Sequence, residues 1–412
     1  MLWLNSGAIM IILKTKKEID RMNKYIDDDK QKGILIDWKK ARKDYKKLNI
    51  PDYLYNPCRE PLEKAKHHIV LSQRSSGKTT NLLLLGMILN KNHGIIIHYI
   101  RSREDYISNK HIKDLFSTIQ TFGYIEKITD GKYNSCIYHA RRWYYCLKDE
   151  DGNIIDQDNN HFMICMSYDN NETYKSSYTC PVADYVIVDE FIERYYYPNS
   201  FILLMDLLAT LKRSRLSMCV FYSANTIDKN TIWFDEFMIK KDVNSMKLGE
   251  QKLIVTEKGT PINVHIFSTD ASHIERNKLQ KLSNLLYFGF SNPKLSSITG
   301  DDWSMANYPH IPDYDYDVIS KNHYISFSTD LLRLTIVNFD KIGIGVIVTK
   351  STTSYDDSII YTSDSVTDYR YRYAFGYSKL DKYIWDLYKK RKFYYSSNEV
   401  GAIVESYINQ FR

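Results

Sequence analysis

No two cysteines in this chain stand at C-x-x-C spacing. The six present (58, 136, 146, 165, 180 and 219) also have no histidine partners at ligand spacing. That sets aside a zinc site and a disulfide framework, and reduced, buried thiols are expected. A membrane-spanning run is missing too, because residues 1–13 are apolar but broken by Asn5 and too short to cross a bilayer. No basic residue precedes that apolar part, so neither a signal peptide nor a membrane partner is expected. Nor is the chain basic throughout. Its net charge of +6 comes from 56 Lys and Arg against 50 Asp and Glu. Residues 1–50 hold 13 basic and 7 acidic residues, which is the whole excess, and the remaining 43 of each sign cancel. Any nucleic-acid contact must then come from local patches. Paired sequence signatures of helicase type are also absent.

What is present is organised around residues 68–80, HIVLSQRSSGKTT. An apolar run, read as a buried strand, ends at Ser72, and the loop Arg74, Ser75, Ser76 follows. Gly77, Lys78, Thr79 and Thr80 then open an apolar helix over 81–89. Strand, loop and helix in that order form the setting of a phosphate-binding P-loop. Converging backbone N–H groups at the helix start match a polyphosphate. Lys78 is placed to reach the β- and γ-phosphates, and the Thr79 hydroxyl to ligate Mg²⁺. Ser72 stands where the pattern has its first glycine, a variant a small residue can serve at negative φ.

A second anchor lies about a hundred residues on, at 184–191, DYVIVDEF. β-Branched residues ending in Asp-Glu read as a Walker B strand, with Asp189 holding the metal and Glu190 polarising the attacking water. Two adjacent carboxylates at the end of a buried strand are costly to desolvate without a cation. Between the anchors, a strand over 94–100 ends at Arg101-Ser102-Arg103, which faces either the ligand crevice or a surface ion pair. A helix over 110–122 and two strands over 133–147 and 162–168 follow. After Glu190 come a helix over 201–211, running into Arg213 and Arg215, and a strand over 218–222 that ends at Ser223-Ala224-Asn225. Asn225 is placed to sense the γ-phosphate.

N-terminal to this core, residues 37–48 read as an amphipathic helix, either solvated or in contact with DNA, RNA or a protein. Residues 53–57 read as an extended entry whose aromatics could flank a base. C-terminal to it, a strand pair over 253–267 closes this core, and a helix over 271–286 opens a Pro/Gly/Asp-rich break. Strands over 324–327, 332–339, 343–350 and 359–363 precede helices over 381–391 and 398–411, an α+β order. Lys389 to Lys392 with Phe393, Tyr394 and Tyr395 form the densest basic and aromatic patch, suited to phosphate contact and stacking or to a solvated helix end.

The ordered set resembles the DNA-encapsidation ATPases of φ29-like phages, which are additional-strand (ASCE) P-loop motors. The resemblance rests on Tyr55-Asn56-Pro57, Arg74, residues 99–103 (YIRSR), Lys175-Ser176, residues 186–191, the Met205-Asp206 helix with its arginines, and Ser223-Ala224-Asn225. It covers residues 53–412. It implies an α/β fold with a mainly parallel sheet: a basic extension (1–50), a P-loop ATPase domain (51–270), a linker (271–317) and a small RNase H-like domain (318–412). It further implies ATP as the nucleotide, Glu190 as catalytic base, Arg213 or Arg215 as a finger acting on a neighbouring subunit, and Lys175 as a second such residue. The implied assembly is a homo-oligomeric ring, a pentamer, working in the host cytoplasm at the portal vertex of the prohead and absent from the mature virion. Its substrate is double-stranded DNA and its partners are the portal and, in some members, a structural packaging RNA. The alternatives are a P-loop protein that binds nucleotide without motor activity, or another DNA translocase. No nuclease activity is expected. Asp330 and Asp340 flank a strand without acids, Asp356, Asp357, Asp364 and Asp368 fall in loops, and Glu405 has no partner evident in the sequence.

Overall fold

Continuous apolar runs such as VIV at 186–188 and VFY at 220–222 cannot alternate inside and outside. They are buried on both faces, as the strands of a parallel sheet covered by helices must be. The computed structural model describes residues 4–5, 8–9, 35–72, 76–170, 183–192, 199–212, 217–225, 231–268, 308–327, 330–362, 368–373 and 378–409. The chain divides into two units.

The first unit is built on a nine-stranded sheet. In chain order its strands are β1 (His67–Ser72), β2 (Ile97–Arg101), β3 (Ser135–His139), β4 (Arg142–Lys148), β5 (Ile154–Ser167), β6 (Tyr185–Asp189), β7 (Cys219–Asn225), β8 (Gln251–Val255) and β9 (Pro261–Ile266). Across the sheet they run β8-β9-β1-β7-β6-β2-β5-β4-β3, parallel from β9 to β5 and antiparallel at both margins. One strand, β7, therefore lies between β1 and β6. Helix α1 (Trp38–Lys46) is capped by the Asp37 side chain and buries Ala41 and Tyr45 in the core. Helix α2 (Lys78–His93) is apolar nearly all round and almost wholly buried.

His68, wholly buried in β1, stacks on Phe221 at 4.8 Å and places Nε2 3.2 Å from the Ala65 carbonyl. Burial lowers its pKa from 6.5 to about 4. Between those values the unfolded chain takes up a proton that the folded chain does not, so stability falls as pH drops through that window. Thermal melts should show His68→Gln losing that part of the acid sensitivity, up to about 3 kcal/mol. Equal pH dependence in both chains would contradict this.

Three local expectations are corrected. Residues 133–147 are not one strand but a hairpin, β3 and β4, turning at Ala140 and Arg141 with φ of 48° and 63°. Neither residue is the glycine or asparagine that normally announces such a turn. The helix over 110–122 is two short ones, α3 (Asn109–Ile112) and α4 (Ser117–Thr121). The break seats Phe116 in the core against Trp143 at 4.6 Å and Phe162 at 5.4 Å. Residues 53–57 turn rather than extend, and Tyr55 is buried beside Phe267 instead of lining a base pocket.

The second unit carries a six-stranded sheet of β10 (Tyr316–Phe327), β11 (Asp330–Phe339), β12 (Gly343–Ser351), β13 (Ile359–Thr362), β14 (Tyr371–Tyr373) and β15 (Phe393–Tyr395). Its order is β14-β13-β10-β11-β12-β15, with an antiparallel β10–β11–β12 meander and the other strands added in parallel. Two strands, β14 and β15, were not expected. One face packs on α5 (Lys379–Lys389) and α6 (Asn398–Asn409) through Ile384, Leu387, Ile403 and Tyr407. The helix expected over 271–286 and most of the linker lie outside the described residues.

Candidate functional site

The site forms where the carboxyl ends of β1, β7, β6 and β2 meet the start of α2, the crevice in which open α/β sheets bind ligands. Register places Ser72 opposite Asn225 and Asp189 opposite Ser223. Lys78, buried, donates to Ser72 Oγ at 2.7 Å, to Ser76 Oγ at 3.3 Å and to Asn225 Oδ1 at 3.4 Å. Burial lowers its pKa to about 8, against the pull of the Asp189 and Glu190 carboxylates.

Asp189 is buried and accepts three hydroxyl hydrogen bonds. Thr79 Oγ1 lies 3.0 and 3.1 Å from its two oxygens, Tyr99 OH donates at 2.7 Å, and Ser223 Oγ donates from the neighbouring strand. A carboxylate and hydroxyls at one point are the hard oxygen donors a magnesium ion takes. The residues present therefore fit such an ion, with Thr79 and Asp189 as its holders.

Glu190 ends the strand in a left-handed conformation, φ 50°. That is uncommon for a residue with a side chain. The turn leaves its carboxylate half exposed and brings it 2.5 Å from Arg101 Nη2. Arg101 stacks on Tyr106 at 5.1 Å. Burial works against its charge, but Tyr99, Asp189 and Glu190 outweigh that and raise its pKa. The two settings open for the arginines after β2 coincide at Arg101, which forms its ion pair at the crevice.

Gly77 caps α2 at φ +79°, and a Cβ there would stand 2.9 Å from Asn81 Nδ2. An L side chain in that backbone costs about 1–2 kcal/mol, and Asn81 would have to move as well. Gly77→Ala is expected to lower the melting temperature and weaken nucleotide binding together. An unchanged melt would show that the loop does not need this conformation.

The structure thus brings together Ser72, Ser76, Gly77, Lys78, Thr79, Asp189, Glu190 and Asn225, with Thr80 in the first turn of α2. Arg74, Ser75, Lys175, Arg213 and Arg215 lie outside the described residues. Sequence reasoning missed Tyr99 and Ser223 as partners of Asp189. No local sequence signal marks them, since Ser223 meets Asp189 through strand register and Tyr99 through the pairing of β2 with β6.

In the second unit no three His, Cys, Asp or Glu among the described residues are grouped to hold a metal ion. Asp330 is the first residue of β11 and lies 3.6 Å from Lys350 and 3.9 Å from Lys240. Asp381 is buried against Arg372 at 2.9 Å and Tyr361 at 2.8 Å. Asp364 lies outside the described residues. Glu405 does have a partner, the Tyr308 hydroxyl, which donates to it at 2.5 Å. The expected patch at 389–395 is corrected in its aromatic half, since Phe393 and Tyr395 are buried core and Tyr394 packs on Phe339 at 5.3 Å. Its lysines are engaged too, Lys390 with Asp386 at 3.3 Å and Lys392 with the Ile342 carbonyl at 3.1 Å. No helix among the described residues is long and apolar enough to cross a membrane.

No protein-family model matches the chain, and no curated protein matches it. Among solved structures it is similar to the Phi-28 gp11 DNA packaging motor, at 15% identity and a TM-score of 0.51 over 88% of this chain and 99% of that one. It is similar also to the bacteriophage Phi-29 viral genome packaging motor assembly, at 14% identity and a TM-score of 0.50 over 88% of this chain and 100% of that one. At such identity the likeness is one of fold: the chain shares its fold with phage DNA packaging motors.

Proposed function

We propose that this chain is the ATP-hydrolysing subunit of a phage genome packaging motor, driving double-stranded DNA through the portal of an empty prohead. The observation that carries the reading is the Thr79–Asp189 contact beside the Ser72, Ser76 and Asn225 partners of Lys78, with Glu190 next after Asp189 and β7 lying between β1 and β6. That arrangement supports an additional-strand P-loop ATPase, in which a base beside the Walker B aspartate activates water. Thr79 and Asp189 would hold Mg²⁺, which would supply charge neutralisation to the nucleotide's phosphates. Lys78 grips those phosphates, Glu190 takes the proton of the attacking water, and Asn225 senses the γ-phosphate. Ser72, Arg74, Ser75, Ser76, Gly77 and Thr80 shape the cradle around them.

Lys175 and either Arg213 or Arg215 complete the site of a neighbouring subunit in a ring, a pentamer by resemblance. The second unit is RNase H-like, a reading supported by its antiparallel meander extended in parallel from β10 by β13 and β14. It holds nucleic acid without cutting it, because Asp330 and Asp381 are committed to Lys and Arg partners. The motor acts in the host cytoplasm at the portal vertex, with a packaging RNA as a further partner, and leaves before the virion matures. ATP hydrolysis measured with and without linear duplex DNA tests this reading. DNA-stimulated turnover is the expected result, and nucleotide binding without hydrolysis would favour an assembly protein.

A further inference from the structure

Helix α1 has two faces. Ala41 and Tyr45 are buried in the core of the first unit, and the N-terminus is capped by Asp37, which accepts from Lys40 N at 3.0 Å. The acids within reach are taken by other basic residues. Asp44 pairs with Lys40 at 3.2 Å and Lys47 at 2.7 Å, while Arg42 turns to Glu63 at 2.9 Å and the Cys58 carbonyl at 3.0 Å.

Lys39, Lys43 and Lys46 remain. They are exposed, spaced i, i+4 and i+7 along one face, and form no ion pair among the described residues. None has an acid three or four positions away, so each meets only like charge along the helix. The macrodipole favours Lys43 and Lys46, which stand in the last turn, but it does not account for Lys39. Lys39 sits in the first turn, which holds no acid, where the macrodipole disfavours a cation.

We infer that this row, resting on the packaging reading, is a contact surface for the phosphate backbone of duplex DNA. Charge complementarity is the first ground, because residues 1–50 carry the whole +6 of the chain. Spacing is the second. At about 1.5 Å per residue the row spans about 10 Å, the reach of a few successive phosphates at about 3.4 Å per strand. The third is the kind of side chain presented. Tyr45 is buried and Trp38 packs against the core, so the face offers no aromatic platform on which unpaired bases could stack. Lysine ammoniums on a fixed helix read charge rather than sequence, as a motor that moves along any sequence requires.

The test uses the full chain with Lys39→Gln, Lys43→Gln and Lys46→Gln combined, and a second chain with all three changed to Arg. Binding of a blunt 30-base-pair DNA duplex is measured across a salt series, beside melting temperature and basal ATP hydrolysis. Each lost phosphate contact should make the log–log salt slope shallower by about 0.9, so by about 2.7 for three. The affinity deficit then grows about sixfold with each halving of salt. The arginine chain should bind as the wild type does, and both variants should melt and hydrolyse ATP normally. If the wild type hydrolyses ATP and binds duplex with the slope of the glutamine chain, the row is overturned and the motor reading stands. Loss of binding to duplex RNA but not DNA would also overturn it. A wild-type chain that binds no duplex overturns the row, and the motor reading falls with it only if DNA-stimulated turnover is absent as well.

Discussion

A Glu190→Gln chain should bind ATP nearly as the wild type does and hydrolyse it about 10²–10⁴-fold more slowly, the usual cost of losing one positioned base. The separation follows from the geometry. Lys78 and Asp189 are buried in the crevice and Thr79 is half-buried there, whereas Glu190 stands at its edge at φ 50° with its carboxylate half exposed. A glutamine keeps the shape and the contact with Arg101 but cannot accept a proton. Turnover and nucleotide affinity, measured on the same preparation, check the expectation, and near-normal turnover would remove the assignment of the base.

Lys78→Met should do the opposite at the other end of the site. Charge-assisted hydrogen bonds are worth about 1.5–3 kcal/mol each, so affinity for ATP should fall about ten- to hundredfold. Stability of the nucleotide-free chain should hold or rise. The Lys78 pKa, lowered to about 8 by burial, means that the ammonium opposes folding at neutral pH, by roughly 3 kcal/mol. Above pH 8 the wild-type chain sheds that proton before its unfolded form does, so the gap between the two chains should close as pH approaches 10.5. Calorimetry and melts over that range read both effects. A variant that binds ATP normally and melts lower would mean that Lys78 serves the fold and not the phosphates.

Much of the first unit was legible because its signals are covalently local. The glycine and lysine at the start of α2 and the acids at the end of β6 declare themselves from neighbours a few residues away. The buried strands do so through uninterrupted apolar runs. What stayed hidden depends on pairing between distant strands. Nothing near Tyr99 or Ser223 in sequence says that both hydroxyls meet Asp189, since that follows only once β2 and β7 flank β6. The Ala140-Arg141 turn was hidden because left-handed backbone was taken by residues that rarely adopt it. Phe393 and Tyr395 misled in the other direction. Beside four basic residues they look like a binding patch, but a three-residue strand against β12 turns both into core.

The central claim is that the crevice between α2 and β6 powers movement of DNA into a capsid. The most direct measurement is protection of genome-length duplex DNA from nuclease after incubation with purified proheads, this chain and ATP. The account predicts ATP-dependent protection with the wild-type chain and none with Glu190→Gln. Protection that persists with Glu190→Gln, or ATP hydrolysis by the wild type that never yields protected DNA, would contradict it.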